Sequence, residues 1–132
     1  MVRKFENLKI YNLGYDFVLE TYKVLKLLPE SENRNIFSQL QRASTSIVLN
    51  IVEGASNKSN KVFLNHLQYS YGSCKEVKVL LMLARDLKYV EDSFCDNLLS
   101  SLDYLTGSIF RFMNSVQKEI DYGRKNYSLN FN

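Results

Sequence analysis

Few residues of this chain are of a type that makes or breaks bonds, and their spacing argues against such chemistry. The one histidine, His66, has no second His, no Cys at ligand spacing and no acidic residue one helical turn away. Neither a zinc site nor a His-activated nucleophile is therefore expected. Cys74 and Cys95 sit beside apolar residues in helical patterns, where a reduced, buried Cys acts as a small hydrophobe, so both are read as structural. The glycines, at positions 14, 54, 72, 107 and 123, are isolated and form no phosphate-cradling loop. No catalytic residue, metal ligand or cofactor is expected. Were hydrolysis or group transfer found, Glu53, Glu76 and Arg42 would be the residues to test, but they too are read as structural.

Gln39, Arg42, Ser46, Asn50 and Glu53 recur at spacings of 3, 4, 4 and 3, which places them within an arc of ~80° on one helix. If that helix folds back on the next one near Asn57, Arg42 comes opposite Gly72 and within reach of Glu76. An Arg42–Glu76 ion pair is predicted. Gly72 costs about 1 kcal/mol relative to Ala inside a helix, which implies a close backbone approach or room for the Arg42 side chain.

Binding to phosphates is the second kind of chemistry to weigh. Lys75, Lys78, Arg85 and Lys88 lie broadly on one side of a helix that Lys58 and Lys61 begin. The formal net charge is only +3, yet residues 55–90 carry six Lys/Arg against two Asp/Glu, and residues 91–122 carry two against six. A basic stripe attracts nucleic acid, whereas a basic helix beside an acidic one is self-neutralising, which is the default for any single lysine. Repetition of the stripe by symmetry would multiply its charge. Of the nine tyrosines, Tyr11, Tyr15 and Tyr22 read as core or interface positions and not as a base-stacking platform.

The elements that must position these residues are helices. One Pro and five Gly among 132 residues are too few turn formers for a many-stranded sheet. Apolar residues at Leu8, Tyr11, Tyr15, Val18, Tyr22 and Leu25 predict a first helix that stops near Leu28, before Pro29. Ile36, Leu40, Ala43, Ile47 and Ile51 predict a second helix that Gly54 terminates in the left-handed conformation. Phe63, Leu67, Ser70, Cys74, Val77, Leu81 and Ala84 predict a third, capped by Ser59 or Asn60. Phe94, Leu98, Leu102, Leu105, Ile109, Phe112, Val116 and Ile120 predict a fourth, opened by a Ser93/Asp96 capping box. Short loops join them, so the fold class is all-α, an antiparallel up-down-up-down four-helix bundle over residues 1–122 with a short tail at 123–132.

Nothing approaches the ~20 apolar residues that span a bilayer, and Met1 to Lys9 lacks a signal-peptide apolar block, so a cytoplasmic protein without membrane contact is expected. Two stretches hold more apolar surface than one bundle core requires. Val79, Leu80, Met82 and Leu83 belong to a segment that is apolar all round, and Val48, Leu49 and Val52 lie off the main stripe of the second helix. These seven positions are assigned to an interface with other copies of the chain.

Two segments carry a family resemblance. Ser38 to Gly54, with its Asn50-Ile51-Val52-Glu53-Gly54 end, resembles the signature of the bacterial four-helix-bundle proteins encoded in 23S rRNA intervening sequences. Tyr71-Gly72-Ser73-Cys74-Lys75-Glu76 is similar to that family's second motif, and the likeness covers nearly the whole chain, Leu28-Pro29 included. The resemblance implies a bundle that assembles as a homopentamer, with no established activity. A related group, the accessory proteins of diversity-generating retroelements, implies as possible partners a nucleic acid, RNA or DNA, and a protein such as a reverse transcriptase. This chain differs from that group in its modest charge and in lacking a dense basic run.

Overall fold

Pro29 and two short polar turns divide the chain into long apolar-striped segments, and each segment is a helix. The structure, a computed structural model, describes the backbone of residues 3–131 and the side chains of residues 3–125. Helix α1 spans Lys9–Leu25, α2 Ser38–Ala55, α3 Asn60–Asp86 and α4 Asp92–Phe131. A 3-10 turn, Phe5–Asn7, precedes α1, while a 3-10 turn at Glu30–Glu32 and a π-helical turn at Asn33–Phe37 lead into α2. The helices run up, down, up and down, with α2 between α1 and α3, and α4 closing the bundle against α3 and α1. Among the described residues there is no strand, so the all-α four-helix class is the one observed.

The apolar stripes of α2 and α3 are buried in full, from Leu40 to Ile51 and from Phe63 to Ala84. Helix α1 departs from expectation. Its buried residues are Ile10, Gly14, Phe17, Thr21, Val24 and Leu25, while Tyr15 and Tyr22 face outward. The helix has two apolar stripes, and the one with small residues is turned inward because Gly14 lets Val48 of α2 approach: a Cβ there would lie 3.2 Å from Val48 Cγ2. Periodicity alone does not choose between two such stripes.

Helix ends also differ from the sequence reading. Gly54 does not terminate α2 in the left-handed conformation, for no glycine among the described residues has positive φ and α2 runs on to Ala55. Its lack of a side chain serves packing instead, since a Cβ would lie 2.7 Å from Phe63 Cδ1 and 2.9 Å from His66 Cβ. The left-handed residue is Lys88, with φ 67°, just past α3. Lys88 N donates to Arg85 O at 3.0 Å and Tyr89 N to Ala84 O at 2.9 Å, the pair of bonds of a Schellman stop. Ser59 caps α3 as expected, its Oγ accepting from Val62 N at 3.3 Å. Ser93 lies inside α4, which begins at Asp92, and Asp96 is engaged by Arg85, so no Ser93/Asp96 capping box forms.

The backbone of α4 continues past Gly123 to Phe131, because one glycine without a following proline costs only about 1 kcal/mol and does not stop a helix. The bundle itself closes near Glu119, where Arg3 reaches Asn60 and Glu119 and the Arg3 amide donates to Ala55 O at 3.3 Å. Beyond that point the α4 backbone continues for about 18 Å at 1.5 Å per residue.

Candidate functional site

The polar residues of α2 meet α3 along one seam. Arg42 Nη2 lies 3.3 Å from Glu76 Oε2, as the spacing predicts. One turn on, Ser73 Oγ donates to Ser46 Oγ at 3.0 Å. Asn50 Nδ2 donates to Ser46 Oγ and to Ser46 O, both at 3.0 Å. With its amide hydrogens so used, Asn50 presents Oδ1 to His66 Nδ1 at 3.0 Å. That nitrogen must donate, which assigns the Nδ1–H tautomer to neutral His66 and leaves Nε2 with the lone pair. Glu53 Oε2 stands 3.7 Å from the same Nδ1.

His66 was invisible as a seam residue from sequence because its acidic and amide partners come from α2 and not from its own helix. The signal available was the hairpin register that pairs Arg42 with Glu76, extended two turns toward the loop. Gln39 is not part of the cross-helix network, since it bonds Asn35 Oδ1 at 2.7 Å on its own side. Gly72 corrects a second expectation: no atom lies within 4 Å of its would-be Cβ, so neither a backbone of this chain nor Arg42 occupies that space. The seam knits two helices and brings no nucleophile to His66 Nε2. Among the described residues no cluster of His, Cys, Asp and Glu suits a metal ion.

The cysteines are as inert as their pattern suggests. Both are buried and unpaired. Burial pushes the Cys74 thiol up to about 11, against a smaller opposing pull from a Thr106 hydrogen bond. Burial likewise raises the Cys95 thiol, whose Sγ donates to Leu81 O at 3.2 Å.

The basic residues split into two groups. Lys78 pairs with Asp103 at 3.2 Å, Arg85 with Asp96 at 3.0 Å and with Asp86 at 2.9 Å, and Lys88 with Asp92 at 3.5 Å. The basic far half of α3 is thus neutralised largely by acidic α4. Lys75 lies over the Tyr71 ring, 5.1 Å from its centroid. Lys58 and Lys61 make no ion pair among the described residues. Beside Lys61, the start of α3 and the end of α4 enclose a groove of about 310 Å³ with Asn65, Gln68, Gln117 and Arg124 on its walls.

The apolar positions assigned to an interface also divide. Leu49 is 59% exposed and Val79, Met82 and Leu83 are exposed with it, while Val48 and Val52 are half-buried. Leu80 is a correction: at 7% exposure it belongs to the core of its own bundle, because it shares the inward face of α3 with Val77 and Ala84. On the other side of α2, Leu49 joins Tyr15, Val18, Leu19 and Tyr22 around a groove of about 370 Å³.

The sequence profile of the 23S rRNA-intervening sequence protein family matches residues 6–111. The chain belongs to that family. In fold it is similar to the crystal structure of a protein of unknown function from the S23 ribosomal protein family of Bacteroides thetaiotaomicron. The TM-score is 0.72 at 19% identity, over 79% of this chain and 97% of that one. No match is found among curated proteins. The intervening-sequence protein match contains the whole α2–α3 seam and both exposed apolar faces. It stops before Gln117, Ile120 and Arg124, so the α4 side of the 310 Å³ groove lies outside it. Among the described residues no helix of this family member is long and apolar enough to cross a membrane.

Proposed function

We propose that this intervening-sequence protein is a non-enzymatic, cytoplasmic assembly unit that closes into a homo-oligomer, a pentamer by its family resemblance, and presents repeated basic surfaces to RNA or DNA. The observation that carries the reading is the pair of unlike exposed apolar faces, Tyr15, Leu19, Tyr22 and Leu49 on α1 and α2, and Val79, Met82 and Leu83 on α3. Two different faces on one chain satisfy each other head to tail, and head-to-tail contacts that turn through a closing angle make a ring.

Nucleic acid is favoured over a purely protein partner by Lys58 and Lys61, which face solvent and make no ion pair among the described residues. The alternative is a scaffold that binds another protein, such as a reverse transcriptase, through its apolar faces. Light scattering at micromolar protomer tests the assembly: a multiple of the 15.4 kDa chain is expected, and a monomer sinks the reading. Salt separates the two partner classes, since binding through phosphates falls steeply between about 50 and 200 mM salt and binding through an apolar face does not.

A further inference from the structure

Where the unneutralised basic charge sits is a separate question from whether nucleic acid binds, and the structure answers it differently from the sequence. On the far half of α3 the cations face the carboxylates of α4, whose negative charge leaves that side close to neutral and repels an approaching phosphate. At the opposite end of the bundle this does not happen. Lys61 on α3 and Arg124 on α4 stand on the two walls of the 310 Å³ groove, and neither makes an ion pair among the described residues. The nearby carboxylate of Asp121 accepts from Gln117 Nε2 at 3.0 Å, and that of Glu119 is held by Arg3 and Asn60.

Three amide side chains, Asn65, Gln68 and Gln117, complete the polar lining. Amides read the edges of bases, but only where those edges are accessible. Two cations on facing walls with the amides of Asn65 and Gln68 between them are parts of a single-strand site, where phosphates and unpaired base edges are both within reach. A duplex presents its bases at the bottom of grooves that this concave surface does not enter.

We propose that the groove between the start of α3 and the end of α4 is the phosphate-contacting site of this protein and that its ligand is a single-stranded nucleic acid. The proposal rests on the nucleic-acid reading above. The α3 wall lies within the family match and the α4 wall beyond it.

The test uses the full chain and fluorescently labelled 12-mers of uridine and of deoxythymidine, with a duplex DNA of equal length, titrated by anisotropy from about 50 to 200 mM salt. The variant is Lys61→Glu with Arg124→Glu, and the control is Lys78→Gln with Arg85→Gln. Expected are a loss of about tenfold or more for the groove variant, a salt slope smaller in magnitude by about 1.4, and a control within about threefold of wild type. The conservative pair Lys61→Arg with Arg124→Lys should retain binding. Circular dichroism and light scattering of the groove variant should match wild type, because both side chains are exposed. Duplex should bind at least tenfold more weakly than either 12-mer, and the two 12-mers report whether ribose is discriminated. Wild-type binding with the groove variant unaffected overturns the site and leaves the nucleic-acid reading standing. Equal binding of duplex overturns the single-strand assignment. No wild-type binding at the lowest salt overturns both the site and the reading.

Discussion

Replacing Gly54 by Ala should weaken the fold although it puts a better helix former into a helix. Phe63 is fully buried, meets Phe112 edge-on at 5.6 Å between centroids and carries Arg3 4.4 Å above its ring. The ring therefore has nowhere to swing when a methyl is placed 2.7 Å from its Cδ1 and 3.3 Å from the Phe63 carbonyl oxygen. Overpacking of this kind costs ~1–3 kcal/mol, and two contacts under 3 Å belong at the upper end. The helix-propensity gain of Ala over Gly, about 1 kcal/mol, leaves a net loss of about 2 kcal/mol. Gly72→Ala in α3 is the matched control: with no atom within 4 Å it should gain about 1 kcal/mol in the isolated chain. Urea melts followed by circular dichroism at one fixed protomer concentration read both. At a slope of about 2 kcal/mol/M the midpoints move by about 1 M down and 0.5 M up. A Gly54→Ala midpoint at or above wild type would falsify the claim that this glycine exists for close helix packing. If Gly72→Ala instead breaks the oligomer apart, the open space beside it is filled by a neighbouring copy.

Three further outcomes can be checked in the same series. Lys88→Gly should raise stability by about 1 kcal/mol, because a side chain in the left-handed region is strained and the lost Lys88–Asp92 pair is exposed and weak; an unchanged melt would mean the Schellman stop is not formed. Cys74 should resist thiol reagents near pH 8 in the native state. Its raised value also means that folded chains hold this proton while unfolded ones release it, so stability declines as pH rises from about 9 to about 11. The decline amounts to ~3 kcal/mol at most by linkage, and a Cys74→Ala chain that shows the same alkaline slope assigns it to another group. Asn50→Ala should cost about 1–2 kcal/mol by removing the acceptor of His66 Nδ1 and one of the two donors to Ser46 Oγ, a loss absent if water replaces the amide.

The fold was legible because four stripes, each repeating at threes and fours between short polar turns, admit one simple arrangement. The Arg42–Glu76 pair followed from the same logic, since a short turn fixes register. What could not be read were choices settled by shape. Helix α1 carries two apolar stripes, and Gly14 against Val48 decides between them through a contact that exists only after α2 is in place. Glycine is common at helix stops, yet the role of Gly54 is steric, and Lys88, a residue with no such reputation, takes the left-handed position. Leu80 looked like surplus surface because a segment apolar all round does not show which side is already covered. The seam's His66 and the groove's Arg124 were missed for one reason: each acquires its meaning from residues on another helix, at a distance in sequence that no local pattern spans.

Assembly and binding are coupled in this reading, and the coupling makes their separation testable. A groove with Lys61 and Arg124 offers few phosphate contacts per chain, too few for tight binding at physiological salt by a single copy. A ring that repeats the groove gains through effective concentration, so a long single strand should bind far more tightly than one spanning a single groove. Leu49→Glu places a charge in the exposed apolar face of α1 and α2 without touching either the core or the Lys61–Arg124 groove. It should yield a folded monomer that binds a long strand at least tenfold more weakly, while a 12-mer's affinity changes little. Lys61→Glu with Arg124→Glu should do the reverse, leaving the oligomer whole and abolishing binding at either length. If the monomeric variant kept full affinity for the long strand, the ring would contribute nothing to binding and the apolar faces would have to be explained by a protein partner.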